Sequence, residues 1–94
     1  MAAFLLADIE VLDPDLYQEY ARQVGDIVSR HGGKYVIRSN DVTSVSGDWH
    51  PQRIPVVRFP DREACDACFG SPEYQALQHL HERSTRARAV VVEY

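Results

Sequence analysis

Along residues 3–11, AFLLADIEV, apolar side chains recur at every second position. Leu5, Ala7, Ile9 and Val11 form one face, while Phe4 and Leu6 open a second face that ends in Asp8 and Glu10. The alternation predicts a strand, and the second face predicts that it is covered on both sides for part of its length. The period changes in LDPDLYQEYARQVGDIVSRHGG, where Leu16, Tyr17, Tyr20, Val24, Ile27 and Val28 fall on one helical stripe. Asp13 is placed to cap this helix, Pro14 to open it, and Gly32 and Gly33 to close it.

Residues 34–47, KYVIRSNDVTSVSG, exceed the usual strand of about five or six residues and are interrupted by Ser39, Asn40 and Asp41. Either a bulge bends one long strand or Asn40 and Asp41 turn a tight hairpin; the bent strand is the preferred reading. RIPVVRF, residues 53–59, predicts a further strand, with Pro55 pointing to an edge or a bulge. A second helix is expected from Asp61, carrying Ala64, Cys65, Cys68 and Phe69 inward. It breaks at Gly70, and Ser71 with Pro72 starts another helix bearing Tyr74, Leu77 and Leu80. RAVVVEY closes the chain as a β-branched strand.

The resulting order, β-α-β-β-α-β, is the ferredoxin-like α+β arrangement: four antiparallel strands with helices on one face. Phe4 and Leu6 then lie on the bare face, where the economical cover is a second copy of the sheet, so a homodimer is expected. Length points the same way. Ninety-four residues fit one domain over 1–94, whose core is small enough to need a disulfide, a metal or a partner subunit.

Charge and composition remove several function classes. The formal net charge of -4 speaks against a nucleic-acid surface, which needs a basic excess or stripe. The start MAAFLLADIEV lacks a basic leader region, and no stretch of about 18 apolar residues occurs, so no membrane partner and a cytoplasmic location are expected. Cys65 and Cys68 form CDAC. A redox pair needs its first thiol at a helix N-terminus, whereas these fall in the second turn. A zinc site needs two more ligands, and His79 and His81 are spaced HxH rather than H-x3-5-H. Both cysteines are therefore read as buried structural residues, with no metal site. GxGxxG, P-loop, HExxH and GxSxG motifs are absent, which leaves nucleotide, zincin and hydrolase readings without support.

DIEVLDPDLYQEYARQV, GGKYVIRS, GDW, FPDREACDACFGSPEYQAL and the terminal VVVEY together resemble the small bacterial proteins of a domain-of-unknown-function family, DUF1330, within the dimeric α+β barrel superfamily. The resemblance covers nearly the whole chain. It implies a ferredoxin-like protomer and a homodimer whose two sheets form a barrel, and it implies no particular reaction. The wider superfamily contains cofactor-independent monooxygenases, polyketide-tailoring cyclases, muconolactone-isomerase-like enzymes, haem-handling proteins and stress-response dimers, in which ligands commonly lie between sheet and helices. The chain departs from the family pattern at three positions. Where the block continues SPEYQ-x-x-x-PLR, histidines stand at 79 and 81 in place of proline and arginine, and Arg58 replaces the glutamate ahead of FP.

Candidate chemistry follows from strand direction. Three connections share one end of such a sheet: around Asp13, across Gly47 to Arg53, and around Ser84 to Ala87. Trp49 and His50 in SGDWHPQR are thereby brought towards Arg83, Arg86 and the end of the last helix. At ~100° per residue, His81 lies within about 20° of Tyr74 and 40° of Leu77, on the inward stripe. A half-buried histidine there can pass protons near neutral pH, or can simply be hydrogen-bonded in the core. Trp49 is read as a pocket wall, a barrel plug or a dimer anchor. Arg38, in the family's Y-x-x-R position, is a carboxylate anchor, or else an ion-pair partner of Asp8 or Glu10.

The expected site is one cavity per protomer with His81 as catalytic residue and Arg38, Trp49, His50, Tyr74 and Leu77 as substrate-binding residues. Its ligand is a small, partly apolar acidic or polyketide-like metabolite, and the inventory suits acid-base isomerisation, cyclisation or elimination without a cofactor. The alternative is a non-catalytic ligand-binding or protein-interaction dimer, in which Trp49 is structural. Haem or metal binding is a third reading.

Overall fold

The alternation of residues 3–11 becomes strand β1 (Ala3–Val11), which hydrogen-bonds on both sides. The computed structural model describes residues 1–94. Helix α1 (Pro14–Arg30) starts as expected: the Leu16 N–H donates to Asp13 Oδ1 at 3.2 Å, and Pro14 occupies the first turn, where its missing N–H costs nothing. The exit needs glycine twice over. Gly32 is left-handed (φ 79°), and a Cβ on Gly33 would lie 2.6 Å from Val28 Cγ1 and 2.7 Å from Phe59 Cε1.

Strand β2 (Lys34–Ser39) is shorter than expected, and neither a bent strand reaching Gly47 nor a hairpin at Asn40–Asp41 forms. Side-chain bonds take over where the ladder stops. The Asp41 N–H donates to Ser39 Oγ at 2.9 Å, and Arg53 Nη1 donates to Asn40 Oδ1 at 2.7 Å, holding the chain in a loop. A bulge does occur, but earlier, between Tyr35 and Ile37.

Strand β3 (Ile54–Phe59) lies inside the sheet, whose order is β2-β3-β1-β4, so Pro55 marks neither an edge strand nor the bulge. The β1–β3 ladder stops at Leu6↔Val56 and returns in the same register at the isolated Ile9↔Arg53 bridge, and Pro55, which has no N–H to donate, sits in the gap between them.

Helices α2 (Arg62–Gly70) and α3 (Pro72–Ser84) are capped by Asp61 and Ser71, which accept from the N–H groups of Ala64 and Tyr74. Pro72 keeps Ser71 extended and prevents the two from fusing. Strand β4 (Thr85–Glu93) pairs with β1 over its full length.

The fold is ferredoxin-like: a four-stranded antiparallel sheet with all three helices against one face. Tyr20, Val24, Ile27 and Val28 of α1 meet Val57 and Phe59 of β3, Cys65 and Cys68 of α2, and Tyr74 and Leu77 of α3. The opposite sheet face carries a cross-strand row of Ile37, Val56, Leu6 and Val90, with Ile37 and Val90 more than half exposed. No helix is long and apolar enough to cross a membrane.

Candidate functional site

Between the helices and the sheet lies a cavity of about 290 Å³. Its origin is the small side chains on the floor. Ala7 pairs with Ala89 and Ile9 with Ala87, so the helix-facing positions of two neighbouring strands carry little volume. Ala21 on α1 leaves a matching space above. Tyr17, Tyr20 and Tyr35 supply walls with polar tips, Val24, Val57 and Phe69 supply apolar surface, and Tyr74 and His81 enter from α3.

Two tyrosines are joined across the helices: Tyr20 Oη and Tyr74 Oη are 3.0 Å apart. Burial raises both phenols above their ordinary range; the neighbouring Tyr74 adds to this for Tyr20, whereas the shared hydrogen bond opposes it for Tyr74. Both are neutral and can donate a proton to a ligand only as hydrogen-bond donors. The His81 ring lies 4.9 Å, centroid to centroid, from Tyr20. Burial lowers its pKa, with Glu82 opposing, so at neutral pH the ring is an uncharged imidazole that can accept a proton. The side-chain hydrogen bonds at residue 81 involve only its carbonyl, which accepts from the Ser84 and Thr85 hydroxyls, and the ring makes none within the chain.

This has a consequence for stability. An unfolded His81 titrates near 6.5, whereas the folded one titrates lower. Its contribution is therefore intact above the unfolded value and is lost as pH falls through the folded one, because the unfolded chain takes up a proton that the folded chain resists. Urea midpoints at pH 7.5 and 5.5 are expected to fall less in His81→Leu than in the wild type; equal falls would place the imidazole in solvent.

Arg38 lines the cavity and lies over the Tyr35 ring at 4.6 Å, not beside Asp8 or Glu10. Those carboxylates face the other way and pair with Arg88 and Arg86. Arg53, unremarked as a site residue on sequence grounds, also lines the cavity. Its parity with Pro55, Val57 and Phe59 on β3 is the signal that places it on the helix side.

The structure brings Arg38, Tyr74 and His81 to one cavity and leaves the other three expected residues outside it. Leu77 is sealed in the core. Trp49 crosses to the opposite sheet face, where its Nε1–H donates to Asp8 Oδ2 at 2.8 Å and where it remains about half exposed (48%). The Asp8 carboxylate, held by Arg88 at 3.1 Å, is the acceptor that draws the loop to that side. His50 follows it and is exposed, 3.7 Å from Asp48. The connections do share one end of the sheet as expected: the Val11 N–H donates to Gln52 Oε1 and the Leu12 N–H to the Ser84 carbonyl.

Cys65 and Cys68 are free and buried, and burial pushes the Cys68 thiol up to about 11. No group of three or more His, Cys, Asp or Glu is placed to hold a metal ion.

A family model described as Domain of unknown function (DUF1330) matches residues 2–94. The chain belongs to the DUF1330 family. No curated protein is similar to it. Among solved structures, this DUF1330 chain is similar to a protein of unknown function from Rhodopseudomonas palustris, with a TM-score of 0.80 at 17% identity, covering 99% of this chain and 82% of that one. It is also similar to a dimeric ferredoxin-like protein of unknown function from Jannaschia sp. CCS1 (TM-score 0.76, 18% identity, 100% of both chains). A third is SnoaB, a cofactor-independent oxygenase from Streptomyces nogalater (TM-score 0.72, 10% identity, 99% and 92% covered). At these identities the likeness establishes the ferredoxin-like fold and no activity.

Proposed function

We propose that this DUF1330 protein is a cytoplasmic homodimer of single-domain protomers. Each protomer takes up one small, partly apolar acidic or polyketide-like metabolite in the cavity between sheet and helices, where His81 moves a proton in an isomerisation, cyclisation or elimination. The observation that carries the reading is a neutral imidazole, free of hydrogen bonds in the chain, in the wall of a mainly apolar cavity. Arg38 at the cavity offers its fork to an acidic group, and Tyr74 offers a neutral donor. SnoaB, on the same fold, is a cofactor-independent oxygenase. That analogy supports cofactor-independent chemistry here without specifying it.

The surface supports the dimer. The protomer is a slab only 16 Å thick in its shortest dimension and exposes 6189 Å². A compact monomer of its mass exposes about 5500 Å², and the surplus is close to the roughly 800 Å² that one partner contributes to a standard interface. The Jannaschia neighbour is dimeric.

A second reading, a non-catalytic ligand-binding or protein-interaction dimer, is favoured by the position of Trp49, which serves the sheet face and not the cavity. Native mass spectrometry of the purified protein is expected to give a dimer with added small-molecule mass. With that ligand identified, His81→Ala should lower turnover by at least about 10²-fold. Unchanged turnover would remove His81 from the chemistry and leave the binding reading in its place.

A further inference from the structure

We infer that Arg53 is the anion anchor of the cavity and that the group it selects is a carboxylate on a compact, flat, apolar body. The inference rests on the reading of this cavity as a metabolite site.

Arg53 is held at three points. Its carbonyl accepts from the Ile9 N–H at 3.0 Å, which pins the backbone to β1. Strand parity sends the side chain to the helix face, and Nη1 donates to Asn40 Oδ1 at 2.7 Å, which sets the plane of the guanidinium. With Nη1 so engaged, the free side of the fork is the edge formed by Nε and Nη2, whose two parallel N–H bonds match the two oxygens of a carboxylate. Nε has no acceptor and is covered by its neighbours, so a ligand oxygen reaches it only when a covering side chain gives way. Nε is the one buried side-chain nitrogen or oxygen in the protein without a partner. Leaving a buried charged donor unpaired is unfavourable, and an anionic ligand at Arg53 would relieve it.

Nothing in the chain competes for that edge. No aspartate or glutamate lines the cavity. Arg38 adds positive charge beside Tyr35, whereas the third lining arginine, Arg88, is already paired with Asp8. Apart from His81 the remaining surface is tyrosyl, phenylalanyl and aliphatic, and the volume of about 290 Å³ holds a one- or two-ring body. A single in-plane fork in such walls suits a planar monoanion better than a phosphate, whose tetrahedral oxygens need donors from several directions.

The test compares 2-naphthoate with 2-naphthamide, which share a shape and differ in charge. Isothermal titration of the full-length protein is expected to show the acid binding at least about tenfold more tightly, the scale of one charge-assisted contact. The Arg53 Nε–H resonance should move downfield with the acid and stay in place with the amide. In Arg53→Met, which keeps an apolar stem, the acid should fall to the affinity of the amide while the amide changes less than about twofold; retained amide binding shows that the cavity is intact. Arg53→Lys, which keeps the charge but lacks the fork, should not restore the preference fully.

Equal binding of acid and amide to the wild type, with Arg53 Nε–H unmoved, would overturn the anchor and leave the cavity as a site for neutral molecules. A preference that survives Arg53→Met and disappears in Arg38→Met would overturn it in favour of Arg38. If neither probe binds, the cavity reading falls and this inference falls with it.

Discussion

Replacing Phe59 by alanine is expected to lower the melting temperature by roughly 15–25 °C, because losing a fully buried phenylalanine costs about 3–5 kcal/mol and a chain of this length shifts by about 5 °C per kcal/mol. Phe59 is 0% exposed at the end of β3, opposite the equally buried Ala3. Its ring meets Phe69 edge-on at 5.8 Å and reaches so close to Gly33 that no Cβ fits between them. Its neighbours are thus small or already committed, and the vacated space cannot be refilled by collapse. Phe59→Leu, which keeps most of the volume, should cost less than about 1.5 kcal/mol. Thermal unfolding at a fixed protomer concentration checks both values. A loss below about 1 kcal/mol for the alanine variant would mean that Phe59 is not where the core is anchored.

Replacing Leu6 by aspartate should convert the proposed dimer to monomers at micromolar concentration, a weakening of at least about 10³-fold or ~4 kcal/mol. Leu6 sits mid-row on the open sheet face between Val56 and Val90, and Ile37 extends the row beyond Val56. Packing two such faces about a twofold axis would bury two uncompensated carboxylates in one apolar layer. The helix-facing core is untouched, so each protomer retains its sheet and cavity. Glu10→Gln, on the same face but paired with Arg86 among polar groups, should change the association by less than about tenfold. Sedimentation of the wild type and both variants decides the matter, and a wild type that sediments as a monomer would dismiss the dimer outright.

Much of the fold is legible in local chemistry. Asp13, Asp61 and Ser71 announce helix starts because an N-cap needs a short side-chain oxygen next to unsatisfied N–H groups, and all three cap helices in the structure. Pro72 marks the break between α2 and α3 for a reason confined to two residues. The alternation of β1 and the stripe of α1 report burial directly, since each residue's side is set by the geometry of its own element. The same reasoning places Tyr74 and His81 on one face of α3, and both reach the cavity.

What required the tertiary structure is every choice that depends on a distant partner. Strand β2 ends at Ser39, where Arg53 bonds Asn40 across 13 positions, and Pro55 interrupts the ladder to β1 from inside the sheet. Trp49 turns to the open face because Asp8 and Arg88, remote in sequence, present an acceptor there. Leu77 shares a helical stripe with His81 yet is walled off by its neighbours in the core.

The cavity itself is a sum over such choices. Ala7, Ala87 and Ala89 are unremarkable singly, and they make a space only when strand pairing sets them side by side under Ala21. Sequence determines which face each residue presents, because that periodicity is local; tertiary pairing alone decides what each face meets, because contact energies there depend on groups that the chain brings together only by folding.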